Sequence, residues 1–184
     1  MGYVIGLRDL YFAPLNTTGD GWMTPIKIRD AINATITPNF SVTNLYADDR
    51  AVAVAQALGS ISVSLNVADL KDTEYDTLMG TTKNTEGVII DNADDVAPYG
   101  ALLFRLPLDD GGFRFYCYYK GKFQPPGTTS NTKGESVTFE TATITGTFVA
   151  MDNGDWRARH DSPSTLTTVA QAWFTSVYEP TPAP

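Results

Sequence analysis

The residue types that could do chemistry are few in this chain and poorly placed to cooperate. There is one histidine, His160, within Arg159-His160-Asp161, and one cysteine, Cys117, between aromatic neighbours. A nucleophile needs a base within hydrogen-bond reach and a third group to orient that base. No Gly-x-Ser-x-Gly elbow is present, and His160 reads as a surface histidine with an acidic neighbour. Acidic pairs recur at Asp48-Asp49, Asp94-Asp95 and Asp109-Asp110. Two carboxylates can hydrolyse a glycoside or hold calcium, but adjacent strand residues point to opposite faces and do not converge on one ligand. The run from Asp91 to Val96 lacks the glycine and closing glutamate of a calcium loop. Gly127 to Gly134 imitates a phosphate loop, yet Thr132 stands where glycine is required and a strand follows instead of a helix. No catalytic, metal or cofactor residue is assigned, and the chain does not read as an enzyme.

The elements around these residues are mostly strands. From Gly59 to Asn66 the pattern alternates strictly: Ile61, Val63, Leu65 and Val67 on one side, Ser60, Ser62, Ser64 and Asn66 on the other. That is a strand with one buried and one wet face. Ile32, Ala34 and Ile36 begin a similar pattern, continued by Phe40 and Val42 beyond Pro38, a residue that marks an edge strand or a bulge. Ala101–Leu106 and Phe113–Phe123 flank Leu108–Gly112, a hairpin turn. The aromatics of the second segment read as a packed sheet face. Val137–Ala150 changes apolar parity midway, which predicts a bulge near Thr141–Thr143. Asp152–Asp155 makes a second tight turn into Trp156–Arg159. Helices are predicted over Ala68–Met79, capped by Asp69 or Asp72 and stopped by Gly80, and over Thr165–Phe174. The expected fold class is α+β, mainly β: an antiparallel sandwich or barrel with one or two flanking helices. One domain is expected over residues 1–178, followed by a short Pro-rich exposed tail over 179–184.

Charge narrows the function classes. The chain of 184 residues has 13 Lys and Arg against 21 Asp and Glu, a net charge of −8. Tight nucleic-acid binding draws on phosphate neutralisation by basic residues, so this balance disfavours a binder. It leaves room for DNA to pass nearby. No run approaches the roughly 20 apolar residues of a membrane span, and Arg8 and Asp9 interrupt the N-terminal apolar run, so no signal peptide is expected and the site of synthesis and use reads as a cytoplasm. A lone cysteine excludes an internal disulfide, and Cys117 reads as a small buried hydrophobe.

Five blocks in order carry a resemblance: Leu45–Arg50, Val67–Leu70, Asp94–Gly100, Tyr119–Phe123 and Thr132–Phe139. With the Trp156 segment after them, they resemble the major tail protein family of long-tailed bacteriophages, of the phi13 type, over roughly residues 2 to 175. The resemblance implies a virion protein: a β-sandwich with a flanking helix forming hexameric rings that stack into a tail tube. It also implies tape-measure, tail terminator and distal tail proteins as partners, and assembly in the host cytoplasm. Two other readings stay open. One is the inner tube of a contractile tail or a headless particle. The other, of a different class, is a carbohydrate-binding β-sandwich on a virion.

Strand physics is compatible with the tube. Unpaired strand edges must be blunted or paired with another copy, and head-to-tail pairing around an axis closes a ring. Two expectations follow for particular residues. Ser60, Ser62, Ser64 and Asn66, with Thr143, Thr145 and Thr147, are candidates to face the channel, because small neutral side chains would let a duplex slide. Asp48, Asp49 and Arg50 are candidates for a contact between copies, the alternative being a salt bridge within one turn.

Overall fold

A computed structural model describes residues 2–19, 21–47, 50–128 and 140–180. Its strands are β1 (Arg8–Pro14), β2 (Ile26–Ile28), β3 (Ala31–Ala47), β4 (Arg50–Val67), β5 (Gly100–Pro107), β6 (Phe113–Phe123), β7 (Ala142–Val149) and β8 (Arg157–Ser162). Its helices are α1 (Asp72–Met79) and α2 (Thr168–Ala172). All named strand pairs are antiparallel and form one sheet in the order β2-β1-β5-β6-β7-β4-β3, with β8 also paired to β6. The class is therefore α+β, mainly β, as the alternation predicts. The sheet curls without closing, so strands from both ends reach one core.

The alternation in β4 explains how that core forms. Ile61, Val63, Leu65 and Val67 are buried and pack with Ile144 and Phe148 of β7, Leu10 and Phe12 of β1, Ile28 of β2, and Leu78 of α1. Two glycines make the aromatic packing possible. A Cβ on Gly121 would lie 2.2 Å from the Phe148 ring, and one on Gly146 would lie 2.7 Å from the Phe123 ring. The freed space lets Phe123 and Phe148 meet edge to face at 5.6 Å, the arrangement ring quadrupoles favour.

A bulge in β6 gives the sheet a second buried surface. Gly121 pairs with Gly100, but Tyr118 pairs with Leu102, so β6 has one extra residue there. The extra residue inverts facing. Phe115, Cys117 and Tyr119 then enter a second cluster with Ala101, Leu103 and Trp173, while Tyr118 and Phe123 enter the first. The sequence reading expected one packed face for these aromatics; the structure uses both. Beyond the bulge β6 changes partner as well, from β8 at Phe113–Tyr118 to β7 at Lys120–Phe123.

Several local expectations hold. β3 is an edge strand with a register shift between Pro38 and Phe40. The β5–β6 turn closes through Gly111 N–H donating to Leu108 O at 3.1 Å, with Gly111 at φ +83. Gly154 at φ +89 serves the turn before β8, and Gly80 ends α1 in the left-handed region.

Others need correction. The helix predicted from Ala68 begins at Asp72, and its N-cap is Lys71, neither Asp69 nor Asp72. The reason is Glu74, whose carboxylate accepts the Lys71 amide at 3.2 Å and the Arg29 amide at 3.2 Å. One buried glutamate thus fixes the helix start and ties it to the chain before β3. The helix predicted over Thr165–Phe174 is only Thr168–Ala172, because Thr167 Oγ1 accepts the Ala170 amide and makes the threonine a cap instead of a helical residue. Val137 and Phe139 lie outside the described residues; at Thr141–Thr143, where the bulge was expected, Ala142 and Thr143 instead pair with Val67 and Asn66 in unbroken register. Residues 181–184 of the tail also lie outside the described residues, while Glu179 and Pro180 are exposed.

Candidate assembly surfaces

The seven residues expected to face a channel derive from β4 and β7, and pairing brings most of them together. Ser62 pairs with Thr147, Ser64 with Thr145 and Asn66 with Thr143. β3 extends each row through Thr37, Thr35 and Asn33. Asn66 Nδ2 donates to Thr141 Oγ1 at 3.2 Å and Thr143 Oγ1 at 3.1 Å, and Asn39 Nδ2 donates to Ser62 Oγ at 3.2 Å. The result is a hydroxyl and amide face on the outside of the curl. Ser60 is the exception: the β4–β7 ladder stops at Ile61, so Ser60 lies beyond the rows.

The sequence reading missed the margin of this face. Lys122 pairs with Thr147 and Lys120 with Val149, which puts both lysines on the wet side after the bulge. Lys122 Nζ sits 4.3 Å from the centre of the Tyr99 ring, and Lys120 Nζ is 3.2 Å from Asp152. Thr35 and Thr37 alternate with Ala34 and Ile36, so they were available to the same argument that found Ser62 and Ser64. The lysines were not, because the bulge that turns them outward has no local signature in Tyr119-Lys120.

A second surface is the outer part of the β3–β4 hairpin. From Phe40↔Leu58 to Ala47↔Arg50 these strands pair, among the described residues, only with each other. Phe40, Val42, Val54 and Leu58 share one face of the ribbon by register, and the first three are exposed at 46%, 58% and 66%. The opposite face carries Leu45, exposed, across from Ala53. Phe40 and Val42 were expected to continue a buried pattern; among the described residues no layer lies over them, and both are exposed. β3 contains no charged residue, and the only one in β4 is Arg50. Arg50 is exposed with no ion pair among the described residues, and Asp48 and Asp49 lie outside them.

At the foot of the hairpin is an open cleft of about 380 Å³, walled by residues 7–10 and 27–31. Asp9, at φ 52 beside a register break in β1, receives Lys27 Nζ at 2.7 Å and Arg105 Nε at 2.6 Å. Burial alone would raise the Asp9 carboxyl. The Lys27 hydrogen bond and the Arg105 charge outweigh it and hold the group below its usual value. Arg8 and Arg29 are exposed on the same wall, and Arg29 Nε stands 4.0 Å from Glu74.

The residues examined for chemistry are engaged separately. His160 is half-buried, not a free surface histidine. Its Nε2 lies 2.8 Å from Thr167 Oγ1, and its ring stacks on Trp173. Asp161 turns to the opposite side, where Arg114 binds both carboxylate oxygens at 2.8 and 3.1 Å. The Arg114 hydrogen bonds outweigh partial burial and, with Arg159, hold Asp161 near pKa 2. Cys117 is fully buried, and desolvation pushes its thiol well above the ordinary range. Asp109 and Asp110 accept different amides, from Tyr3 and Gly112, so the pair shares no ligand. Among the described residues, no group of three His, Cys, Asp or Glu side chains could hold a metal. No described helix is long and apolar enough to cross a membrane.

Known proteins decide the identity. The family model described as phage tail tube protein matches residues 31–163. This chain belongs to the phage tail tube protein family. The matched span starts at the first residue of β3 and runs past the end of β8. It takes in the hydroxyl face and the whole hairpin, but not β1, β2 or α2. It is shorter than the resemblance over residues 2 to 175, and it speaks for tail tube proteins at large instead of a subtype. The family is structural, which places the chain in the virion tail. Among curated proteins, none matches the chain.

Proposed function

We propose that copies of this tail tube protein associate head to tail into hexameric rings, which stack into a tube for genome passage. The observation that carries this reading is the outer β3–β4 ribbon. A two-stranded hairpin is marginal in water unless something packs on it. Long uncharged edge strands are normally blunted in proteins that stay apart. Here 17 residues of edge strand carry no charge, and Phe40, Val42 and Val54 are bare. A neighbouring copy supplies what is missing. Several backbone hydrogen bonds at about 1 kcal/mol net each, plus burial of those side chains, give an interface of useful strength. Asp48, Asp49 and Arg50, at the end of this ribbon, fall into the contact between copies.

The hydroxyl face supplies the channel wall. Ser62, Ser64, Asn66, Thr143, Thr145 and Thr147 present no charge to a passing phosphate, so they neither retain nor repel it strongly. The net charge of −8 per copy keeps the wall as a whole from binding DNA. Lys122 sits at the margin with its ammonium over Tyr99, and Lys120 is paired to Asp152. Tape-measure, terminator and distal tail proteins meet the two ends of such a tube, with assembly in the host cytoplasm.

Negative-stain microscopy of concentrated protein tests the reading. Rings or tubes with a central hole are expected, and solid aggregates or monomers at every concentration would refute it. Ser62→Lys with Thr145→Lys tests the wall: tubes should form, but ejection of DNA should slow markedly. Unchanged infectivity would place another face in the channel.

A further inference from the structure

In a chain that is 18% charged, two long stretches carry no charge at all: β3 and residues 162–178. The first belongs to the outer ribbon, where Phe40, Val42 and Val54 stand out from one face. The second contains α2 and encloses an open hollow of about 250 Å³, lined by Thr168, Val169, Ala172, Trp173, Ser176 and Tyr178. Trp173 and Tyr178 stack at 5.7 Å to form one wall. Trp173 Nε1 already donates to Tyr116 O at 3.2 Å, so the indole offers a guest only apolar surface. α2 packs through Ala170 into the second core cluster, which contains no residue of β3 or β4. The apolar side chains of the ribbon are themselves exposed, so ribbon and hollow of one copy leave each other uncovered. A second copy can cover both.

Building on the tube reading, we propose that the apolar face of one copy's ribbon lies on the α2 hollow of the next, with Phe40 entering it. Charge selects this acceptor. The cleft beside Asp9 is walled by ions, and the cleft below the β5–β6 turn by Asp110, Arg114 and Asp161. An uncharged ribbon laid on either would strip water from those ions and give nothing in return. The cleft on the hydroxyl face would likewise leave Thr35, Ser64 and Thr145 without hydration. Val88, Ile90 and Val96 are exposed elsewhere, but they stand among Asp91, Asp94 and Asp95 in sequence. At α2 no ion is covered, and apolar area leaves water on both sides of the contact. Phe40 has the only ring among the apolar residues on its face, and a ring set against Trp173 and Tyr178 makes the contact aromatic pairs favour. The contact is heterologous, ribbon to helix, which gives the assembly a direction.

A groove variant and a crosslink test this. Val169 is 41% exposed, so Val169→Glu should leave the monomer folded, which circular dichroism checks; Val169→Ser replaces it if the fold is lost. By sedimentation velocity and microscopy the variant should need roughly tenfold more protein to assemble than the unaltered chain, because the contact would bury an unpaired carboxylate or hydroxyl. For placement, chains carrying Val42→Cys are mixed with chains carrying Val169→Cys, assembled and treated with a short bismaleimide. Cys117 is buried and should stay silent. Covalent dimers should form in the mixture and be scarce with either variant alone. Normal assembly of the groove variant, or tubes of the mixture that do not crosslink, overturns the docking while the tube stands. Crosslinking inside a single chain carrying both cysteines, at dilutions where nothing assembles, would reject a second copy as the occupant. If the unaltered chain itself never assembles, the tube reading fails and takes the docking with it.

Discussion

The inner and outer parts of the β3–β4 hairpin use the same two strands, joined through the register shift between Pro38 and Phe40, yet they live in different environments. In the inner part β4 has β7 on its other side and α1 and β1 beneath it, and Ile61, Val63 and Leu65 are at most 2% exposed. In the outer part no third strand and no covering layer occurs among the described residues, and Val54 is 66% exposed. Apolar side chains are present in both. What differs is whether anything stands against the apolar side. A strand pattern therefore specifies a face to be covered, and whether the cover comes from the same chain is a separate matter.

Substitutions should separate the two parts. The largest effect on the isolated chain is expected at Phe148, fully buried and packed on Phe123 and Tyr118. Phe148→Ala should cost about 3–5 kcal/mol in denaturant unfolding, and a loss below about 1 kcal/mol would mean the core does not rest on this contact. Phe40→Ser with Val54→Ser should behave in the opposite way. Monomer stability should shift by no more than about 0.5 kcal/mol, as for exposed sites, while assembly into tubes is lost. Equal losses in both assays would erase the distinction between the parts.

Smaller effects sharpen the picture of the body. Cys117, buried between the sheet and the C-terminal segment, should resist thiol reagents until the protein unfolds, so its labelling rate should follow unfolding; rapid labelling of folded protein would contradict the second core. The ion pair of Asp161 with Arg114 gives a pH signature. The folded carboxyl is depressed to about 2 from its ordinary 3.8. Its contribution is then fully present above the unfolded pKa and disappears as pH falls through about 2. Because the carboxylate is 46% exposed, solvent screening limits the pair to at most about 1 kcal/mol. Asp161→Asn should lower stability slightly at pH 7 and not at all near pH 2. An equal difference at both pH values would point to packing instead of charge.

The sequence made the body legible because its core is written in short-range patterns. Strict alternation located β4, glycine-bearing turns located the β5–β6 hairpin and the entry to β8, and Pro38 marked an edge strand with a bulge. Legibility failed where long-range partners decided the outcome. Glu74 moved the start of α1 by reaching Arg29, across 45 positions of chain. The extra residue in β6 redirected Lys120 and Lys122, and only the register against β5 reveals it. Phe40 and Val42 looked like core because alternation cannot say that the opposing layer ends at Ile61. The hydroxyl face was readable except for Ser60, which falls past the last pairing with β7. The foot cleft was not readable at all, since Arg8 and Arg29 come from segments 21 positions apart in sequence.

Amide hydrogen exchange over residues 40–58, compared between monomer and assembled tube, tests the account most directly. In the monomer these amides should exchange far faster than those of Ile61–Val67, because an uncovered ribbon opens at little cost. In the tube they should become about as slow as the inner part. Strong protection already present in the monomer, unchanged by assembly, would mean that the ribbon needs no second copy, and the account would fail.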